Sequence, residues 1–413
     1  MHSLIRKVAA CLCFIFCAVW YGHTYFYRDP GSVFFDKTRA YEQRYSQYRK
    51  AEIEQAIDQY SSVETEDGYV KAGPNATLCV AISSVKRQHS QYLETTIGSL
   101  LHGLTAAERA DLFVSVLIAE IDPQKHPSWS QDGWMSKAVD DMHTYNVSAQ
   151  EKQYLQGLEE TASYSEKGVY DYVHALRQCY ETGTPYIAVF EDDIMLAEGW
   201  LIRTLLGVQQ IPPSDPAQWL FMRLFNQERS TGWESRSVGG NNEHWITIAI
   251  GLCITVPVLL LRRQWPWTRA HLDLGTLGIV VLMLNPALVI LVFQSGKASL
   301  FPHSPGVFDE PFGCCSQAMI FPRTEVILLI EFLQAKKQGQ VDLLLNDLAV
   351  EAGLTRYALY PVQAQHIGLD SSRMTEAQEA QAIWSMAYED LDPVALERYH
   401  QRMTKEYYGW LIY

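Results

Sequence analysis

The 413-residue chain has no basic tract, and its 33 lysines and arginines are outnumbered by 47 acids, for a formal net charge of −14. Binding a phosphate backbone needs clustered cations, so nucleic acid is excluded as the main partner. Neither a Walker A loop nor a dinucleotide glycine fingerprint occurs; Gly296-Lys297 lacks the upstream glycine and the following Ser or Thr. Kinase and dehydrogenase readings lose ground accordingly. No cysteine spacing suggests zinc, and no internal repeat is found.

Charge is also missing from three stretches. Arg6 and Lys7 precede the uncharged run Val8 to Tyr27, long enough to cross a bilayer as a helix. Its bulky end (Trp20, Tyr21, Tyr25, Phe26, Tyr27) offers no small-x-small cleavage site, which predicts an uncleaved anchor with a cytosolic N-terminus. Trp245 to Leu261 and Leu274 to Phe293 are two further apolar runs, joined by a turn containing Arg262, Arg263, Arg269, His271, Trp265 and Trp267. That turn suits the cytosolic face, so the pair reads as a hairpin returning to the lumen; the competing reading is two buried core helices. Sequons at Asn75 and Asn146 agree with a lumenal remainder. Outside the spans, Cys79, Cys179, Cys314 and Cys315 permit three pairings in an oxidising lumen, or remain free and buried.

The expected organisation is a cytosolic tail (1–7), the anchor (8–27), a stem and linker (28–74), a first catalytic half (75–244), the hairpin (245–294) and a second half (295–413). Asp36 to Tyr60 has no Gly or Pro and predicts a helical stem. Strands are expected at Thr77 to Ile82 and Asp111 to Ala119 with a helix between them, and a helix around Val169 to Tyr180 leads into Tyr186 to Phe190. Beyond the hairpin, Phe312 to Phe321 resumes the fold, followed by helices at Arg323 to Lys336 and Asp342 to Ala352. Strand–helix–strand order predicts an α/β domain around a parallel sheet, split in sequence by the hairpin.

The strand Tyr186 to Phe190 ends in Glu191-Asp192-Asp193. Adjacent carboxylates raise each other's pKa unless a cation shares them, so the triplet points to a hard divalent ion carrying substrate phosphates. A solvated loop or a structural calcium site are the alternatives. Ser83, Ser84, Val85, Lys86 and Arg87 follow the first strand, where open α/β sheets commonly hold a nucleotide, though Ser and Lys are ordinary loop residues too. Metal, nucleotide loop and lumenal anchorage together suggest sugar transfer from a nucleotide sugar, with a further carboxylate deprotonating the acceptor hydroxyl if the anomeric centre inverts. Asp342 is the first choice for that base, with Asp347 and Glu310 as substitutes; a helix N-cap is the structural reading of Asp342. His366 either completes the metal shell or hydrogen-bonds in the core.

The anchor, the Glu191-Asp192-Asp193 triplet, the interrupting hairpin and the return segment Gly313-Cys314-Cys315-Ser316-Gln317-Ala318-Met319 resemble the Golgi GPI-anchor N-acetylgalactosamine transferase family. Val85-Lys86-Arg87 through Tyr92-Leu93, and Gln365-His366-Ile367-Gly368 with Ser371-Ser372, are also similar to the N-acetylglucosaminyltransferase IV family, which lacks the hairpin. The resemblance implies a Rossmann-like GT-A glycosyltransferase domain in a multi-pass Golgi membrane protein. It implies transfer of N-acetylgalactosamine from UDP-GalNAc to a mannose of the GPI glycan, free or on GPI-anchored proteins, with inversion and Mn2+. By the same resemblance Glu191, Asp192 and Asp193 form the metal and donor-ribose motif, Ser83 to Arg87 lie on the uridine side, and Lys167, Asp171 and Tyr172 face the donor; as plain helix residues these three would be surface or packing positions. Transfer of another sugar, or transfer onto N-glycans, is the enzymatic alternative, and a membrane scaffold with structural calcium the non-enzymatic one.

Overall fold

Alternation of small and branched apolar residues along β1 (Leu78–Ser84) sends Leu78, Val80 and Ile82 to one face of a sheet and Cys79 and Ala81 to the other, and both faces are covered. β4 (Tyr186–Glu191) repeats the pattern, with Ala188 and Phe190 on the first face and Ile187 and Val189 on the second. Strands buried on both sides are the mark of helix-flanked α/β sheets. The computed structural model describes residues 2–63, 68–130, 132–213, 218–227, 242–271, 273–310, 315–369 and 383–409. The chain divides into two units, Met1–Glu42 with Glu228–His303, and Gln43–Gln227 with Ser304–Tyr413.

The second unit is built on an eight-stranded mixed sheet. With β2 (Leu112–Ile118), β3 (Asp141–His143), β6 (Trp219–Arg223), β7 (Gly306–Asp309), β8 (Ala318–Pro322) and β9 (Thr355–Tyr360), its order is β3-β2-β1-β4-β8-β6-β9-β7. β1, β2, β3 and β4 run parallel to one another, whereas β8 is antiparallel to both β4 and β6. A separate antiparallel ladder joins β5 (Ile194–Leu196) to β10 (Ala364–His366). The expected α/β class holds, but the sheet is mixed rather than parallel, because β8 runs antiparallel to β4 and β6, and β7 antiparallel to β9. Helix Arg323–Lys336 matches the sequence expectation, and Val341–Ala352 begins one residue before it.

Cys79 on β1 is bonded to Cys179 on helix Tyr164–Glu181, fixing that helix to the second face of the sheet. Cys315 is also disulfide-bonded, while Cys314 lies outside the described residues.

The stem is not one helix. A short turn of helix, Lys37–Ala40, is capped by Asp36, and the long helix starts at Tyr45 and ends at Ser61. The break coincides with the Glu389 carboxylate, which accepts from the amides of Arg44 (2.7 Å) and Ser46 (3.1 Å) and so supplies a helix start from a distant segment. Arg49 on this helix is wholly buried, donating to the carbonyls of Leu196 and His102 and to Glu198 at 3.0 Å. Glu198 also meets His400 of the C-terminal helix Pro393–Gly409, whose other ring nitrogen lies 2.9 Å from Glu108.

In the first unit, helices His2–Tyr25, Glu243–Gln264 and Leu274–Gln294 are long and apolar enough to cross a membrane. Lys7 pairs with Asp273 and donates to Thr276 at 2.7 Å, so the start of the anchor meets the hairpin turn. At the other end the Val33 amide donates to the Gln294 carbonyl at 2.9 Å.

Two outcomes follow from these ties. The Cys79–Cys179 bond closes a loop of sequence separation 100, for which chain entropy gives about 4–5 kcal/mol. Cys79→Ser should therefore lower Tm by about 10 °C, and an unchanged Tm would show the bond to be dispensable. Burial opposes protonation of His400, but its hydrogen bonds to Glu108 and Glu198 outweigh that and push its pKa up to about 9. Stability from this latch is complete below the ordinary histidine value of about 6.5 and is lost as pH rises through about 9. The Tm gap between the parent protein and His400→Gln should narrow from pH 6.5 to pH 9.5.

Candidate functional site

Glu191 is the last residue of β4, and the chain turns immediately into β5, so Asp192 and Asp193 occupy the carboxyl-end rim of the sheet. That rim is where open α/β sheets bind ligands. Both aspartates are buried, 5% and 6% exposed, and each is held by a different set of partners.

Asp192 is fully engaged. Its Oδ2 accepts from Ser84 Oγ at 2.5 Å, and its Oδ1 accepts from Arg87. Ser84 Oγ also lies 3.0 Å from His126 Nε2, whose Nδ1 accepts from the Ser128 amide at 3.2 Å. A neutral imidazole protonated at Nε2 therefore donates to Ser84, which donates to Asp192. Burial keeps His126 neutral, lowering its pKa to about 4.

Asp193 is left open on one side. Arg87 Nη1 is 3.0 Å and His366 Nε2 3.4 Å from its Oδ2, whereas its buried Oδ1 has no hydrogen-bond partner among the described residues. Burial works to raise the Asp193 pKa, but His366 and Arg87 prevail and hold it well below the ordinary carboxylate range; for Asp192 burial prevails over Arg87 and the value is raised. The β5–β10 ladder, in which His366 pairs with Ile194, brings this histidine beside Asp193 from far along the chain. Glu191 accepts from Ser316 Oγ at 2.8 Å. One atom each of Glu191, Asp193 and His366 falls within a mutual 4.8 Å, close enough to hold one metal ion. An oxygen-rich set with one imidazole and an unpartnered buried carboxylate oxygen suits a hard or borderline divalent cation.

Gly368 makes this proximity achievable. A Cβ on it would lie 2.0 Å from Asp193 Oδ2, and the Ile367 amide donates to the Asp193 carbonyl at 2.8 Å.

Other expected residues fall into two groups. Ser83 and Ser84 belong to β1 rather than to the loop, because both pair with β2 and Ser83 also pairs with Glu191. Val85 and Lys86 form the true turn, with Lys86 exposed and its amide donating to Glu120 at 2.7 Å. Arg87 stacks on Tyr92, 5.1 Å from its ring centre. Lys167 and Asp171 form a separate buried knot: Lys167 Nζ donates to Asp171 (3.0 Å), the Tyr145 hydroxyl (2.9 Å) and the Ala119 carbonyl (2.6 Å) after β2. Tyr172 packs edge-on against Phe321 beneath the sheet.

Asp342 is the second residue of its helix, and the N-cap is Gln340, so the capping reading does not hold. Arg223, at the end of β6 and fully buried, lies within electrostatic reach of Asp342. Arg223 also donates to Asn346 Oδ1 (3.3 Å), one turn beyond Asp342, and lies 3.6 Å from Glu310. Burial raises the Glu310 pKa to about 7 against the pull of Arg223. Asp347 is exposed. Two strand spacings, about 10 Å, separate the β4 and β6 ends that carry the two clusters. Sequence reasoning gave no role to His126, Ser316 and Arg223; Ser316 falls within the return segment quoted above, whereas no local motif marks His126 or Arg223, and each acquires its role through a strand end or a loop contact. Ser371 and Ser372 lie outside the described residues.

The family model described as GPI-N-acetylgalactosamine transferase PGAP4 matches residues 78–363, more than half of the chain. No curated protein matches the chain.

Gly368→Ala must displace the Asp193 carboxylate, and His366→Ala removes the imidazole. In calorimetric titration with manganese, either variant is expected to bind at least about tenfold more weakly than the parent protein. Parent-like affinity in both would remove this cluster as a metal centre.

Proposed function

The chain belongs to the GPI-N-acetylgalactosamine transferase family, and from that premise we propose that it transfers N-acetylgalactosamine from UDP-GalNAc to a mannose of the GPI glycan, with inversion and with Mn2+, in the Golgi lumen. The observation that carries this reading is the Glu191, Asp193 and His366 group at the β4 rim. A divalent cation held there would neutralise the charge that builds on the departing nucleoside diphosphate.

The chain's own residues supply the remainder. Arg87 and Ser84 hold the Asp192 carboxylate against the end of β1, on the side assigned to uridine and ribose. Lys167 and Asp171 support the donor side by fixing the turn after β2 through the Ala119 carbonyl. Asp342 is assigned as the base: its carboxylate takes the proton of the attacking mannose hydroxyl as the new glycosidic bond forms on the face opposite the departing diphosphate.

The membrane unit supports a lipid-linked acceptor. Arg6, Lys7 and the arginines of the hairpin turn support a cytosolic position for one end of the helices and a lumenal one for the sheet domain. Confining enzyme and acceptor to one bilayer raises their effective concentration.

The test is a screen of UDP-sugars and of GPI and N-glycan acceptors with the purified full-length protein, with and without chelator. UDP-GalNAc with a GPI acceptor should give the highest turnover, which chelation or Asp193→Asn should reduce at least about 100-fold. Asp342→Asn should lower kcat about 100-fold or more while leaving donor KM nearly unchanged. Preference for another donor, metal-independent turnover or retention of configuration would each overturn the corresponding part.

A further inference from the structure

The membrane unit contains an apolar groove of about 380 Å³ between the anchor and the second hairpin helix. Ile15 and Val19 form one wall, Ala287 and Leu291 the other, and Val33 and Phe34 close its end. Gln294 is the polar residue of its lining.

The closing strap is fixed in place. Beyond the anchor the chain folds back, and residues 32 and 33 bond to the Gln294 carbonyl through Ser32 Oγ (3.3 Å) and the Val33 amide (2.9 Å). The Phe34 ring rests on Gly22, where a Cβ would lie 2.5 Å from it. A groove of this size within packed helices forfeits dispersion contacts unless something fills it, and in a bilayer the filler is hydrocarbon. Ala287 to Gln294 spans about 10 Å at 1.5 Å per residue, within the roughly 15 Å depth of one leaflet.

The groove ends where the chain leaves the membrane helices for residues 26–42, which carry three basic residues, Arg28, Lys37 and Arg39, and three acidic ones, Asp29, Asp36 and Glu42, with Asp36 accepting from the Thr38 amide at 3.0 Å. Arg39 donates to the last anchor carbonyls, His23 (3.1 Å) and Thr24 (3.2 Å), and stacks on Tyr27 with Arg28 on the same ring. Lys37 and Lys297 belong to the same end, and Asp29 is committed to the amides of Gly31 and Ser299 at 2.8 Å each. An apolar slot one leaflet deep with cations at its mouth matches the two parts of a phospholipid.

We propose that this groove binds a hydrocarbon chain of the lipid-linked acceptor, with its lipid phosphate beside Arg28 and Arg39. The inference rests on the acceptor assigned above and adds to it a lipid-recognition site outside the sheet domain. Recognition of the lipid then contributes to acceptor affinity and leaves the chemistry at the β4 rim unchanged.

The test uses the full-length protein in phosphatidylcholine vesicles with two acceptors, an intact GPI and the same glycan freed of its diacylglycerol by phospholipase C. Filling the groove with Ala18→Phe and Ala287→Phe should raise KM for the intact acceptor about tenfold and leave transfer to the lipid-free glycan unchanged. Unchanged transfer is also the control for folding. Equal losses on both acceptors, or no loss on either, would overturn the proposal; the second outcome marks a groove filled by bulk lipid. A separate arm uses a phosphatidylinositol with a photoactivatable acyl chain, in competition with excess phosphatidylcholine. Crosslinks should map to residues 15–19 and 287–294 and disappear in the filled variant, and crosslinks elsewhere would count against the site. If the parent protein modifies neither acceptor, the functional reading fails while this arm still decides whether the groove takes a phospholipid chain.

Discussion

Two adjacent carboxylates buried at the end of one strand are the constraint around which the rest of the sheet domain is arranged. Isolated buried anions cost several kcal/mol each, and Asp192 and Asp193 also repel one another. The chain answers with one cation that reaches both: Arg87, from the turn after β1, touches Asp192 and Asp193 together. Holding Arg87 there requires β1 to lie directly beside β4, which the parallel register from Leu78↔Tyr186 to Ser83↔Glu191 provides. The second answer, His366, requires the small β5–β10 ladder and so brings the last part of the domain against its middle. The electrostatics of the rim and the topology of the sheet are thus two descriptions of one requirement.

The same logic explains how the domain tolerates a membrane hairpin inserted in its sequence. β6 leads into the insertion, yet its hydrogen-bond partners, β8 and β9, both follow it. Arg223 at the end of β6 repeats the pattern with its side chain, reaching the Cys315 carbonyl, Glu310 and Asn346, all on the return half. A buried guanidinium must satisfy its donors, so the halves can close correctly only once the return segment has supplied acceptors. Split folding of this kind places its long-range contacts at the strand ends, the part of an α/β sheet that also carries chemistry.

Much of this was legible in the sequence because it depends on local pattern. The strand ending in Glu191-Asp192-Asp193, the membrane runs and the helix Arg323–Lys336 are all set by periodicity and charge within a short window. The stem break was not, because the amide acceptor at Arg44 and Ser46 is Glu389, more than 300 residues away. Ser84 has the residue type of a loop, since hydroxyls favour turns, whereas pairing with Ile118 and the contact with His126 keep it in the strand. For Tyr172 the family resemblance implies a donor-facing position and helix geometry a packing one; its ring lies edge-on against Phe321, as the packing alternative has it. Arg223 and His126 carry no sequence signal at all. Their roles arise from register, which no short window contains.

Hydrogen-bond accounting distinguishes two side chains that the sequence presents as equivalent neighbours. Both oxygens of Asp192 accept bonds from protein donors, Ser84 and Arg87, so a metal reaching it would have to displace a partner already paid for by burial. Asp193 keeps Oδ1 buried and unbonded, and an unsatisfied buried oxygen costs free energy that a cation would recover. The direction of each shift agrees: burial leaves Asp192 harder to ionise than an ordinary aspartate, while His366 and Arg87 keep Asp193 ionised. Adjacent residues of the same type can therefore divide the work, Asp192 tying the rim to the end of β1 and Asp193 keeping one oxygen unbonded in the group it forms with Glu191 and His366. Gly368 enforces the division, because only a residue without a Cβ lets the backbone close over Asp193 while leaving its carboxylate in place.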